Sequence, residues 1–437
     1  MTRQLLTGNA AAACGVRLAD VDYIPAFPIT PQTEIIETLA AWASSGELAG
    51  RFVTLDSEHS MITAAGAAAA TGARTFTATS SQGLLYGMEA LYTISGWRVP
   101  LVLVNVSRGL SAPITLGPDH NDVLAARDAG FVQIHAETCQ EVLDSILMGY
   151  RIAEDRRVSV PVIVNLDGFY LSFTREPVDV PDETTVREFL PPLDFEHIGY
   201  RATRPVAQGV AVLEGATYSH FRYQMHRAIQ NAATVHAEVA AEFHGHFGRK
   251  YGAVEQYRMD DADIVLVMAG SFATKGKAAV DRWSEDGKRV GLLRLRLVRP
   301  FPMNDLATAL TGRKSVGVID QNLSPGSGGI LHHELAASLF DVPDRPPVLR
   351  SFVSGLGGKD IGQPEFDHVL EVLESAQPGQ GRHETELLMT SDEWQQVQSR
   401  LVAARRPVDE DIHPNTNDQN VRDAVEADAD ACEEAVP

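Results

Sequence analysis

Cysteine is almost absent. The chain has 3 in 437 residues, Cys14, Cys139 and Cys432, scattered and with no Cys-x-x-Cys pair. That count cannot ligate an iron–sulfur cluster from this chain alone, and it points to incidental thiols in a reducing compartment, not to a disulfide framework. Positive charge is scarce too: 37 Lys and Arg stand against 58 Asp and Glu, a formal net charge of -21. Such a chain is a poor sequence-independent binder of nucleic acid or of an anionic membrane. No apolar run is long enough to span a bilayer. The opening residues, Met1-Thr2-Arg3-Gln4-Leu5-Leu6, lead into polar and Ala-rich sequence instead of a secretory core, so the cytoplasm is the expected location. No Gly-x-Gly-x-x-Gly follows the first strand, which argues against a nicotinamide Rossmann dehydrogenase.

What is present is ordinary for a globular chain of two or three domains: 44% hydrophobic and 22% charged. Strands are expected over 22–27, 51–55, 74–79, 101–106 and 161–166, with a helix over 31–42 between the first two. The continuous apolar runs Leu101-Val102-Leu103-Val104 and Pro161-Val162-Ile163-Val164, separated by helices, predict an α/β fold with a doubly wound parallel sheet covered on both faces. Residues 182–200 read as irregular and Pro-bearing. A long helix is expected over 219–247, and its five histidines read as solvated or core-edge side chains. A second α/β unit opens near Asp261, with strands over 264–269, 289–297 and 315–320. Its Ser324-Pro325-Gly326-Ser327-Gly328-Gly329 cluster reads as a turn before a helix more readily than as a phosphate cradle, because the Walker lysine is missing. A last helix is expected over 391–405, and the acidic, aromatic-free tail from Val408 reads as a solvated segment. The expected divisions are 1–255, 256–375 and 376–437.

Three loops at the carboxyl ends of the first strands carry the candidate chemistry, since ligands of open parallel sheets sit there. Glu58 lies in Thr54-Leu55-Asp56-Ser57-Glu58-His59, where a strand read as buried meets a helix of Ala and Gly. A carboxylate so placed is costly to desolvate without a partner or a task. The small residues behind it would let the helix lie close to the sheet. In Phe27-Pro28-Ile29-Thr30-Pro31-Gln32-Thr33, Thr30 reads either as a helix cap or as a hydroxyl aimed at a substrate carboxylate, and Pro31 suits a first helical turn. Arg108, directly after the apolar run Leu101–Val106, could grip a small carboxylate bidentately. Taken together, the loops describe a pocket for an anion beside an acid.

These stretches, with Thr77-Ala78-Thr79-Ser80-Ser81-Gln82-Gly83, Asp119-His120-Asn121-Asp122, Gly248-Arg249-Lys250-Tyr251-Gly252 and Arg299-Pro300-Phe301-Pro302, resemble the alpha chain of thiamine-diphosphate-dependent 2-oxoacid:ferredoxin oxidoreductases. The resemblance runs to about residue 375. It implies a pyrimidine-type thiamine diphosphate domain followed by a transketolase-C-terminal-like α/β domain. It implies that Glu58 shares a proton with the aminopyrimidine ring and so activates the coenzyme, that Thr30 and Arg108 hold the substrate carboxylate, and that Pro28, Ile29, Ser81 and Gln82 border the cofactor. The reaction implied is 2-oxoacid plus coenzyme A to acyl-CoA, CO2 and two electrons, of the pyruvate type.

The family usually holds diphosphate and Mg2+ with Gly-Asp-Gly followed by Asn, and no Gly-Asp-Gly occurs here. No metal ligand is therefore assigned to this chain. A beta subunit is expected to bind the diphosphate and Mg2+, and gamma and ferredoxin-like delta subunits to supply 4Fe-4S clusters, so the isolated chain is expected to be inactive. Electrons would leave to ferredoxin, or to NAD through a flavin subunit. Phe27 where Tyr is commoner, Leu116-Gly117-Pro118 before Asp119, and Ala10 after Asn9 depart from the pattern. They suggest a roomier pocket and an alternative aromatic substrate, phenylglyoxylate. An alternative of another class is a non-catalytic scaffold in which Glu58 is merely a satisfied acid.

Overall fold

The apolar runs form the centre of a parallel sheet, and the parity of their side chains shows why both faces are covered. In the strand Val102–Ser107, Val102, Val104 and Val106 enter one core while Leu103 enters another, and Ile163 and Val164 of the neighbouring strand Val162–Asp167 split the same way. Helices Gly8–Leu18, Cys139–Ala153 and Gly215–Phe247 cover the first face; helices Glu58–Ala70 and Met88–Trp97 cover the second. The computed structural model describes residues 2–194, 202, 203, 205, 207, 209–378 and 384–403. The acidic tail read from Val408 lies outside them.

Strand order across the first sheet is Leu297–Arg299, Val132–His135, Val162–Asp167, Val102–Ser107, Phe76–Thr79. A bridge from Thr75 to Tyr23 extends it to Tyr23–Ala26, which pairs with Arg51–Thr54. All these pairings are parallel except that of Leu297–Arg299. Two expectations need correction, and one strand appears where none was expected. Arg51–Thr54 is a half-exposed edge strand, not a buried one, because no strand flanks it on its far side among the described residues. The stretch read as irregular from Asp182 contains the helix Glu183–Phe189, capped by the Asp182 carboxylate accepting from the Thr185 amide at 3.0 Å. The N-terminal residues are also regular: Thr2–Thr7 pairs antiparallel with Arg175–Val180.

The second sheet has the order Thr385–Leu387, Val348–Val353, Ser315–Asp320, Ile264–Ala269, Val290–Leu295, Val254–Tyr257, antiparallel at the last strand. Val265 and Val267 point into the core that Leu103 and Ile163 enter, whereas Leu266 and Met268 face helices Ala273–Glu285 and Gln363–Ser375. The two units thus share one hydrophobic core. The glycine turn at Ser324–Gly329 leads into the helix Ile330–Leu339, whose first amides, Leu331 and His332, donate to the Asp320 carboxylate at 2.9 and 3.2 Å. That helix mouth is already filled by the Asp320 carboxyl, which burial pushes up to about 7 against the pull of the Leu331 and His332 amides.

A buried ion cluster ties the seam. Arg294 is 0% exposed and reaches Glu141 at 2.7 Å, Glu255 at 2.8 Å and Glu137 at 3.1 Å. Arg296 also contacts Glu141, and Lys277 joins Glu137 at 2.7 Å to Glu255 at 2.6 Å. Burial alone would raise the Glu141 pKa, but Arg294 and Arg296 outweigh it and hold the carboxyl at about 2. Removing the Glu141 charge leaves Arg294, Arg296 and Lys277 facing only the carboxylates of Glu137 and Glu255. Glu141→Gln is expected to cost about 3–5 kcal/mol at neutral pH. The folded value lies below the ordinary 4.5, so the wild-type advantage is complete above about 4.5 and shrinks as pH falls through 2. Thermal melts of both proteins across that range check it.

Candidate active site

Neighbouring parallel strands all turn at the same edge of the first sheet, and that edge collects the predicted residues. Glu58 follows the strand Arg51–Thr54, Thr30 follows Tyr23–Ala26, Ser81 and Gln82 follow Phe76–Thr79, and Arg108 follows Val102–Ser107. Glu58 is the first residue of its helix, whose mouth is capped by the Ser57 hydroxyl accepting from the Ser60 amide at 3.2 Å. The carboxylate is 8% exposed and has no hydrogen-bond partner among the described residues. The small residues of this helix serve helix packing: a Cβ at Gly66 would lie 2.3 Å from Cγ1 of Ile94. Gly83 makes the corresponding opening at the site. A Cβ there would lie 2.6 Å from Thr79 Oγ1 and 2.7 Å from Glu58 Oε1, so the acid, the threonine and the bare glycine meet. Thr79 Oγ1 and Ser80 Oγ are buried without partners.

Arg108 links the other loops. Its Nη1 donates to the Thr30 carbonyl at 2.7 Å and its Nη2 to Gln82 Oε1 at 2.8 Å, while Nε stays buried and unpartnered. Burial pulls the guanidinium below its ordinary value; nearby Asp122 pulls the other way. The Gln82 amide donates on to Ser111 Oγ at 2.8 Å, and Ser81 Oγ donates to Gln82 Oε1 at 2.6 Å. Thr30 is exposed and is not a helix cap, because the helix Thr33–Ser45 begins beyond it with Gln32 as N-cap; Pro31 likewise precedes the first turn. Its hydroxyl has no partner among the described residues. Pro28 is exposed and Ile29 half-buried. Behind this loop Gln32 Nε2 donates to the Phe27 carbonyl at 2.8 Å and the Ala78 carbonyl at 3.3 Å, and Asn9 donates to the Pro31 carbonyl at 2.9 Å.

Several residues of this edge had no role assigned from sequence, although the Asp119–Asp122 stretch was noticed. The Asp122 carboxylate is 0% exposed and accepts from the amides of Ser81, Arg108 and Val123. His120 Nε2 sits 2.8 Å from Asp167 Oδ1, and Asp167 Oδ2 accepts from the Ser271 amide and hydroxyl, both at 2.6 Å, so this stretch bridges the two sheets.

Residues 14–241 match the model of the family described as pyruvate flavodoxin/ferredoxin oxidoreductase, thiamine diphosphate-binding, and residues 262–366 match pyruvate:ferredoxin oxidoreductase core domain II. The pyruvate synthase subunit PorA of Methanocaldococcus jannaschii is 43% identical over 377 residues, covering 86% of this chain and 95% of that protein. The chain belongs to the alpha subunits of the 2-oxoacid:ferredoxin oxidoreductase family. PorA of Thermotoga maritima is 41% identical over 86% of this alpha subunit and 94% of its own length. The ketoisovalerate oxidoreductase subunit VorA of Pyrococcus abyssi is 38% identical over 84% of this chain and 93% of its own length. A solved 2-oxoglutarate:ferredoxin oxidoreductase from Magnetococcus marinus, with 2-oxoglutarate, coenzyme A and succinyl-CoA bound, shares the fold: TM-score 0.65 at 19% identity over 85% of this chain. This alpha subunit spans 65% of that chain's length.

The residues present fit the pyrimidine side of thiamine diphosphate. An acid without a partner and an orphaned threonine hydroxyl close over a glycine with no Cβ, leaving unsatisfied polar groups of the kind that the nitrogens of a heterocycle can satisfy. No three of His, Cys, Asp or Glu stand together as a metal set among the described residues, and no described helix is long and apolar enough to cross a membrane. Gly83→Ala is expected to push Glu58 aside and to lower the stability of the folded chain by about 1–3 kcal/mol. Denaturant unfolding of the variant against wild type measures it; an unchanged midpoint counts against this packing.

Proposed function

We propose that this alpha subunit supplies the pyrimidine half of a thiamine diphosphate site and that, in its complex, it oxidatively decarboxylates pyruvate. The balance is pyruvate plus coenzyme A thiol to acetyl-CoA, CO2, a proton and two electrons. The reading rests on one observation: the unpartnered Glu58 carboxylate against Thr79 Oγ1 and the bare α-carbon of Gly83. Bound thiamine diphosphate supplies the electron sink that lets a 2-oxoacid lose CO2. Glu58 holds a proton at a pyrimidine ring nitrogen. Arg108, with three N–H donors beyond those given to Thr30 and Gln82, and the Thr30 hydroxyl orient the substrate carboxylate. Pro28, Ile29, Ser81 and Gln82 wall the pocket and keep water from the reacting carbon.

The diphosphate and its Mg2+ are assigned to a beta subunit, and 4Fe-4S clusters to gamma and ferredoxin-like delta subunits that pass electrons to ferredoxin in the cytoplasm. The chain itself is read as a pyrimidine-binding unit over 1–255, a transketolase-C-terminal-like unit over 256–375 and a terminal segment over 376–437. Relatives whose names say pyruvate synthase, at 39–43% identity, support pyruvate as substrate. Gly117 adds nothing to an aromatic pocket, because a Cβ there would lie 2.0 Å from the Gly357 carbonyl oxygen; its smallness serves packing against the second unit. Phe27, Ala10 and Leu116 are the departures left to favour phenylglyoxylate, with NAD reached through a flavin subunit.

Glu58→Gln in the assembled complex is expected to lower kcat by about 10²–10⁴-fold. A scaffold would tolerate the change, so an undiminished rate overturns the catalytic reading. Side-by-side kcat/KM values for pyruvate and phenylglyoxylate are expected to favour pyruvate, and a preference for phenylglyoxylate transfers the assignment to the aromatic acid.

A further inference from the structure

We infer that Asp122 is the positioning residue of the 2-oxoacid carboxylate site: its buried carboxylate fixes the two backbones whose side chains, Arg108 and Gln82, meet there. This inference rests on the reading of Arg108 as the group that binds that carboxylate.

The geometry is that of a hub. Asp122 Oδ2 accepts from the Ser81 amide at 2.9 Å, the Asn105 side-chain amide at 3.1 Å and the Arg108 amide at 3.2 Å. Oδ1 accepts from the Val123 amide at 2.7 Å. Four N–H donors converge on one side chain. An ionised carboxylate has acceptors for all of them, whereas an isosteric amide would turn a donor toward one set. Asp122 is 0% exposed, so any donor it abandons stays desolvated.

What it holds is specific. Ser81 has φ +51°, a conformation that side chains rarely adopt, and it is 0% exposed. The bond from its amide to Asp122 offsets that strain and sets the direction in which the next residue, Gln82, leaves the strand end. Arg108 is held by its own amide to the same oxygen. The side chains of these two residues then join through Nη2 and Oε1 at 2.8 Å. Ser81 is 41 residues and Arg108 is 14 residues from Asp122 in sequence, so this carboxylate ties together two loops beyond the point where the pairing of Thr79 with Asn105 ends. Asp122 touches neither substrate nor cofactor in this account; it acts through Arg108 and Gln82.

The test uses the assembled complex carrying Asp122→Asn, with KM and kcat for pyruvate and the affinity for thiamine diphosphate measured together. KM is expected to rise about 10- to 100-fold, the scale of lost hydrogen bonds to a charged group, with kcat within about threefold and cofactor affinity, which Ser81 and Gln82 border, falling by no more than about threefold. An unchanged KM overturns the inference, and so does a parallel loss of kcat and cofactor affinity, which is the pattern of a purely structural tie. Arg108→Lys separates the two levels. If it leaves KM unchanged, the carboxylate reading of Arg108 has failed; if it raises KM while Asp122→Asn does not, the role of Asp122 alone has failed. Should Asp122→Asn not assemble, Asp122→Glu carries the test, since it keeps the charge and displaces the acceptor by one methylene. It is expected to raise KM about two- to fivefold with kcat within about threefold, and no rise overturns the inference.

Discussion

Parallel strands buried on both faces can release their chain only at the ends, and every crossover returns the next strand pointing the same way. In this protein that constraint brings the carboxyl ends of Arg51–Thr54, Tyr23–Ala26, Phe76–Thr79 and Val102–Ser107 to one edge, side by side. Glu58, Thr30, Gln82 and Arg108 are neighbours because their strands are neighbours. Their distances along the chain do not matter. The desolvation that makes an isolated acid costly at such an edge also raises its value to a bound ring, because no water competes for it.

The second unit is part of the same construction. Its sheet shares a hydrophobic core with the helices behind Glu58, and its strand extension Leu297–Arg299 closes the far edge of the first sheet. Its glycine loop supports the Arg108 loop directly: the Gly357 amide donates to Asp119 at 3.0 Å, the Gly358 amide to the Pro118 carbonyl at 2.7 Å, and Thr115 to the Gly357 carbonyl at 3.2 Å. Glycine at 117 permits that approach. The charged seam of Arg294, Arg296 and Glu141 holds the opposite side. The loop that carries Arg108 is thus clamped from two units, while its tip remains open: Ile114 is 84% exposed and Leu116 53%.

Within the site, polar groups fall into two classes. Asp122 and Asp167 are fully buried and engaged as acceptors, and the buried Asn105 amide donates to Asp122 and Asn165; these groups tie the frame together. Glu58, Thr79 Oγ1, Ser80 Oγ and Arg108 Nε have no partner among the described residues. Buried polar groups are normally satisfied, so the second class is what the proposed cofactor and substrate would engage and the first class holds the frame.

The sequence by itself determined the α/β class, the central strands and the identity of the loops that follow them, because unbroken apolar runs have few other places to go and such loops end at a known edge. It also placed Glu58 at the mouth of an Ala- and Gly-rich helix, and Arg108 after a buried strand. Tertiary structure decided what periodicity cannot encode. The glycines at 66, 83 and 117 look alike in sequence, yet one admits Ile94, one admits Glu58 and Thr79 and one admits Gly357, since each depends on what lies across from it. The strand Arg51–Thr54 proved an edge because edge and centre differ by their neighbours and not by their composition. Asp122 was visible as a letter in a motif, but its function as an acceptor for Ser81 and Arg108 exists only once strands 76–79 and 102–107 lie side by side.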